Sequence, residues 1–314
     1  MVDFDFNGEI LCMGSMNMDL VMVMESLPEP GETVITDNFS TYPGGKGGNQ
    51  AVAAAMNGAK VQMFTKLGGD GFSVELVGLM SEKGVDTSRI LRDPERTAGI
   101  AMIRVDKKGQ NSISFTPGSN ALLSPADVEK NSDLFQSGRI LLLTMEIAEE
   151  TIYRAIELAH EKGMFTIVDP APAPRQGFPV SIASLVHLIK PNETEARILT
   201  GIEVRDKESA RNALEKLKSL GFRLPIVTLG EKGIVGLDED CFIELDPFKV
   251  NCVDTTAAGD VFSGALAAAL SKGKSLGQSL EWANAAGALS TTTSGAQTSI
   301  PSPESVRDLL GKRV

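Results

Sequence analysis

Short apolar runs alternate with longer segments of helical period along most of this chain, and no other feature constrains its fold so tightly. The runs cover residues 10–13, 61–67, 140–145, 165–168, 185–189 and 225–229. Between them, Ile152, Ala155, Ile156 and Ala159 recur at i, i+3, i+4 and i+7. Ala210, Ala213, Leu214 and Leu217 do the same ahead of Gly221, a residue suited to stopping a helix. Such alternation predicts an α/β fold, a parallel sheet with helices covering both faces. Ligands bind such sheets outside the carboxyl ends of the strands. The polar residues of interest fall there: Asn17 and Asp19 after the first run, Glu146 after the third, Asn192 after the fifth and Gly230 after the sixth.

Two stretches break the alternation. Residues 20–42 carry Pro28, Pro30 and Gly31 between β-leaning pieces, and residues 97–118 read as two strands around the turn at 107–110. They form either a small separate sheet lying over the strand ends, able to exclude water on closing, or edge hairpins of the main sheet.

With 314 residues, 42% hydrophobic and 23% charged, the chain buries a core and is not a disordered polymer. A formal charge of −11 argues against a nucleic-acid surface, so a phosphate ligand has to be held by local devices. Cys12, Cys241 and Cys252 show no paired spacing and form no metal motif with His160 and His187. The reading is of reduced, mostly buried thiols in a cytoplasmic protein. Residues 1–8 lack a basic-then-apolar pattern, so no secretion signal is expected, and no apolar run reaches membrane length.

Residues 254–260, Asp-Thr-Thr-Ala-Ala-Gly-Asp, put small residues and one carboxylate ahead of the apolar helical run 261–270. Such a turn leaves backbone N–H groups aimed at one spot, where the helix dipole favours an anion. Asp260 repels an anion there unless it has chemical work, such as taking a proton from an attacking hydroxyl; the alternative is a plain helix-start residue. Residues 44–50, Gly-Gly-Lys-Gly-Gly-Asn-Gln, let backbone approach a ligand closely, with Lys46 and Asn49 as donors, or make only a flexible loop. The segment is neither a P-loop nor a dinucleotide fingerprint.

Asn17 and Asp19 lie on the same side of an extended chain and suit vicinal hydroxyls, or Asx turns. Glu146 closes an apolar run, where a carboxylate needs a ligand or donor to meet it. Asn192 and Glu195 read as a capping box, and beside phosphates the same carboxylates suit a hydrated Mg²⁺. Residues 228–233 are a strand and a Gly-containing turn, suited to wrapping a nucleotide or forming a hairpin.

Taken in order, these segments resemble the ribokinase-like family of carbohydrate kinases, which also holds adenosine kinases and fructokinases. The resemblance runs from about residue 10 to residue 301, and residues 295–297 add to it. It implies one domain over 1–314 with a Rossmann-like, mostly parallel central sheet, helices on both faces, and a small β-sheet lid from about 16–43 and 97–118. It implies a homodimer through that lid, and transfer of the ATP γ-phosphate to the 5-hydroxyl of D-ribose, with 2-deoxyribose or another family sugar as the alternative acceptor. Carried over by position, Asp260 resembles the catalytic base, and Ala257, Ala258 and Gly259 the anion hole. Asn17, Asp19, Gly45, Lys46, Asn49 and Glu146 fall where the sugar is held. Asn192, Thr228, Leu229, Gly230, Glu231, Lys232, Gly233, Gly259 and Asn284 fall on the nucleotide side, with Glu195 near Mg²⁺. An activating potassium ion is implied at Asp254, Thr256, Ser290, Thr293, Gly295 and Ser299. Gly48, Asn284 and Thr293 depart from the family's frequent Ala, His and Arg. A non-catalytic sensor on this scaffold is expected to have lost Asp260 or the glycines, and a nicotinamide dehydrogenase to carry the missing fingerprint.

Overall fold

A computed structural model describes residues 4–36 and 38–312; residues 1–3 of the acidic amino-terminal stretch lie outside them. In chain order the strands are β1 (Glu9–Met13), β2 (Asn17–Met24), β3 (Phe39–Gly44), β4 (Lys60–Phe64), β5 (Lys66–Gly68), β6 (Val85–Asp86), β7 (Leu91–Asp93), β8 (Gly99–Asp106), β9 (Asn111–Thr116), β10 (Ile140–Thr144), β11 (Phe165–Asp169), β12 (Leu188–Ile189), β13 (Leu224–Thr228), β14 (Ile234–Asp238) and β15 (Cys241–Leu245). The helices are α1 (Lys46–Met56), α2 (Gly71–Glu82), α3 (Pro125–Lys130), α4 (Glu149–Glu161), α5 (Val180–Ala183), α6 (Glu193–Thr200), α7 (Lys207–Ser219), α8 (Ala258–Ser271), α9 (Leu276–Ser290) and α10 (Pro303–Gly311).

Nine strands form the central sheet in the order β15-β14-β13-β12-β11-β10-β1-β4-β6. All its pairs are parallel except β13–β14 and β14–β15 at one edge. Successive side chains of a strand face opposite ways, and the core divides accordingly. Ile10, Cys12 and Leu142 pack with α1, α8 and α9, whereas Leu11, Met13, Leu141 and Leu143 pack with α3 and α4. Continuous apolar runs are therefore what a sheet covered on both faces requires. The helical repeats fall on α4 and α7 with all eight singled-out residues buried.

A separate four-stranded sheet, β3-β2-β8-β9, is assembled from both irregular stretches, so these are not edge hairpins of the central sheet. The turn at 107–110 joins β8 to β9. Register puts Asp19, Val21, Val23, Ala101, Ile103, Ile113 and Phe115 on one face. Val23, Ile113 and Phe115 are exposed there. The thiols depart from expectation in part: all three are free, yet only Cys12 is buried, because Cys241 and Cys252 fall on the outermost strand and an exposed loop. No helix among the described residues is long and apolar enough to cross a membrane.

Candidate active site

Helices α1 and α8 lie side by side and bring their amino-terminal ends to one place. Small residues allow the approach: a Cβ on Gly264 would sit 2.5 Å from the Gln50 carbonyl oxygen and 2.6 Å from the Ala53 Cβ. Both helices start without a side-chain cap, on residues of positive φ, Gly45 at 86° and Ala257 at 59°. Left-handed backbone is strained for alanine by roughly 1 kcal/mol, and such strain concentrates at functional sites. By contrast α6, α7 and α9 are closed by the capping boxes of Asn192, Asp206 and Ser275. The Ala258 N–H turns back onto the Thr255 carbonyl at 3.2 Å. Of the three residues read as an anion hole, Ala258 thus spends its N–H within the turn, whereas those of Gly259 and Asp260 are first-turn donors without an intrahelical acceptor.

Asp260 is buried in the first turn of α8. Its Oδ2 accepts from Asn49 Nδ2 at 3.0 Å and its Oδ1 from Gln50 Nε2 at 3.1 Å. Burial raises its pKa above the ordinary carboxyl value, Lys46 pulls the other way, and Asp169 adds to the rise. The Lys46 ammonium is in turn held up chiefly by Asp260, against the opposing effect of burial. One cation and two amides thus offset only part of the cost of burying this carboxylate.

Beside it, Glu146 Oε2 accepts from the Ser15 hydroxyl and from the Lys46 N–H, the latter at 3.1 Å. The donors that its position at the end of β10 demands are therefore protein groups on one oxygen. Asn17 and Asp19 project from β2, and Asn17 Oδ1 accepts from Asn120 Nδ2 at 2.8 Å, which leaves its amide nitrogen available. Burial, then the nearby Glu146 charge, pushes the Asp19 carboxyl up to about 6. The glycines at 44–47 are required by close approach: a Cβ on Gly44 would strike the Asp19 carboxylate at 2.5 Å, and one on Gly47 would meet Gly14 at 2.6 Å. Gly48 has room, its Cβ position lying 3.4 Å from Met16.

On the opposite flank, Asn192 and Glu195 form the capping box, with both hydrogen bonds at 2.9 Å. Burial raises the Glu195 pKa. Residues 228–233 close a β13–β14 hairpin: Leu229 is buried, Gly230 and Gly233 have positive φ, and Lys232 donates to the Arg205 carbonyl. Asn192 bridges to Thr228, which joins the two segments. Asn284, on α9, donates to the Asp246 carbonyl at 2.9 Å. Behind the start of α8, Asp254 ties two loops together: Oδ1 accepts from Thr256 and Oδ2 from the Gly295 N–H at 2.9 Å. Burial raises its pKa, but the Thr256 and Gly295 hydrogen bonds outweigh burial and hold it below the ordinary value. Ser290 and Ser299 are buried, with their hydroxyls on the Gly287 and Ala296 carbonyls. The Thr293 N–H lies at 3.4 Å from the Ser290 carbonyl. No cluster of three His, Cys, Asp or Glu side chains suited to a metal occurs among the described residues.

Sequence reasoning missed Asp169, Lys190 and Ser263, and it noted Gln50 only as part of a glycine-rich segment. The signal was available for Asp169, which ends the apolar strand β11 as Glu146 follows β10.

Residues 7–303 match the pfkB family of carbohydrate kinases. The chain is 36% identical over 298 residues to a ribokinase of Haemophilus influenzae, covering 95% of this chain and 97% of that protein. It is 35% identical over 302 residues to a deoxyribokinase of Salmonella typhi, covering 96% and 98%. Among solved structures, a ribokinase of Thermotoga maritima superposes with a TM-score of 0.86 at 36% identity, covering 96% and 99%. An Arabidopsis thaliana ribokinase complexed with ribose and ATP superposes with a TM-score of 0.87 at 29% identity, covering 96% and 98%.

Proposed function

Because the chain belongs to the pfkB family of carbohydrate kinases, we propose that it transfers the γ-phosphoryl group of ATP to the 5-hydroxyl of D-ribose. The observation that carries this reading is the buried Asp260 carboxylate, fixed by Asn49 and Gln50 at an uncapped helix start. Asp260 accepts the hydroxyl proton as the sugar oxygen attacks phosphorus. The bond from that phosphorus to the ADP oxygen breaks, and the N–H groups of Gly259 and Asp260 meet the charge on the transferred oxygens. Asn17 Nδ2, Asp19, Lys46 and the second oxygen of Glu146 hold the sugar hydroxyls, and the close packing at Gly45 keeps that wall in place. The hairpin 228–233, Asn192 and Asn284 line the nucleotide side.

Mg²⁺ bound with ATP would supply positive charge to the phosphate oxygens. No carboxylate cage occurs among the described residues, and one capping carboxylate, Glu195, suits an ion held mainly by phosphates and water. A potassium ion suits the loops tied by Asp254, where carbonyl and hydroxyl oxygens of Thr256, Ser290, Thr293, Gly295 and Ser299 accompany one carboxylate. Its effect is indirect, fixing the turn that leads into Ala257.

The four-stranded sheet is the lid of a one-domain enzyme, lying over the sugar through Asn17 and Asp19. Its exposed Val23, Ile113 and Phe115 support pairing with a second copy. The free thiols support a cytoplasmic location. Likeness to a deoxyribokinase supports 2-deoxyribose as the second reading. A coupled ADP-release assay on ribose and 2-deoxyribose, with and without potassium, tests the proposal. Turnover of ribose with the higher kcat/KM supports it, preference for 2-deoxyribose selects the second reading, and turnover of neither overturns both.

A further inference from the structure

We infer that the buried ion pair Asp169–Lys190 is a positioning device. It holds the Asp260 carboxylate through Gln50, and the start of α8 through the Gly259 carbonyl. The inference rests on the reading of Asp260 as the base.

Asp169 ends β11, and Lys190 directly follows β12, the neighbouring strand. Their side chains are 4% exposed each and meet at 2.9 Å. An ion pair this deep is a poor source of stability, because desolvating both charges offsets most of their attraction and an apolar pair of similar volume often serves as well. Two acceptors beside it are also left open. Asp169 Oδ1 and Gln50 Oε1 are buried without hydrogen-bond partners. Buried acceptors left open weaken a fold and call for another reason to exist.

The hydrogen-bond geometry supplies one. Gln50 Nε2 donates to Asp169 Oδ2 at 2.8 Å and to Asp260 Oδ1 at 3.1 Å, so its two amide hydrogens bridge two carboxylates. A carboxylate only accepts, so both acceptors force the amide into this orientation, and a flipped amide would set an oxygen against two anions. Asp169 thereby dictates how Gln50 presents a donor to Asp260. Lys190 Nζ also donates to the Gly259 carbonyl at 3.3 Å. The Ser263 hydroxyl lies 2.9 Å from Asp169 Oδ2 and 3.0 Å from the same carbonyl. A peptide unit is planar, so holding the Gly259 carbonyl fixes the direction of the Asp260 N–H on its other side. One ion pair thus sets the base and a donor for the phosphoryl group. The charged groups facing Asp260 are Lys46 from α1 and Asp169 from β11, with the Cys12 thiol of β1 also close.

Three variants test this, with kcat, KM and thermal melting measured on each. Lys190→Met should lower kcat by on the order of 10- to 100-fold while ribose KM stays within about twofold, the pattern of a misplaced catalytic group. Lys190→Arg, which keeps the charge, should recover most of that loss. The double variant Asp169→Asn with Lys190→Met removes both charges together and should melt near the wild type, yet keep the low kcat. The acid limb of its kcat profile should lie at lower pH, since the like charge beside Asp260 is gone. A double variant with wild-type melting and wild-type kcat makes the pair dispensable and overturns the inference. Asp260→Asn separates the two readings. If it turns over normally, the base assignment fails; if it is inactive while Lys190→Met is not, only the ion-pair inference fails.

Discussion

The α1–α8 pair and the four-stranded sheet both supply the site, but they are built in opposite ways. The helices are buried over almost their whole length, packed through Gly264, Ala53 and Ala54, and they deliver Asn49, Gln50 and Asp260 in a fixed relation. The sheet is thin, with most of β9 exposed, and it delivers Asn17 and Asp19. Groups that move a proton have to sit within a fraction of an ångström of their target, so they belong on a rigid element. Groups that only hold the acceptor tolerate an element that opens and closes. On the proposed function, reaction type is therefore carried by the helices and acceptor choice by the sheet.

The largest test of that division is Asp260→Asn, which should lower kcat by about 10²- to 10⁴-fold while ATP affinity by calorimetry changes little. Equal losses in both would mean that the helices hold substrate rather than perform chemistry. Next is stability. Leu142→Ala in the central sheet should cost about 2–5 kcal/mol in denaturant unfolding, and comparable losses at an exposed position of the four-stranded sheet would erase the contrast.

Asp19→Asn should raise ribose KM by on the order of tenfold and lower kcat much less, the signature of lost ground-state binding. With the Asp19 carboxyl pushed up to about 6, wild-type KM should climb as pH falls through 6, and the variant should lack that limb. The stability sign runs the other way. A carboxyl raised in the fold is destabilising while charged, so the penalty is present above pH 6 and fades as pH falls toward 4. The variant should therefore be more stable at pH 7.5 by on the order of 1 kcal/mol, discounted for partial exposure. The smallest effect on folding belongs to Ile113→Ser, within about 0.5 kcal/mol, and sedimentation of this variant beside the wild type checks the proposed pairing with a second copy.

The central sheet was legible because strands buried on both faces must be apolar throughout, and residues 140–145 and 165–168 are. The open helix start at Ala257, Ala258 and Gly259 was legible, since only small residues leave such a start uncapped; that Ala258 donates to Thr255 was not, because that bond depends on the turn's own torsions. Lys190 was invisible for a different reason. A lysine after an apolar strand reads as a solvated end, and its partners lie at 169 and 259, a separation no local pattern reports. The exposure of Cys241 and Cys252 was equally illegible, since it follows from which strand ends up outermost.

Gly264 touches no ligand and carries no polar side chain, yet it sets the gap between Asn49 and Asp260. A single methyl there would act as a wedge, splaying the two helices and tilting the carboxylate off its target. The most sensitive ruler in this protein is therefore an absent side chain, a full turn downstream of the chemistry whose distances it measures.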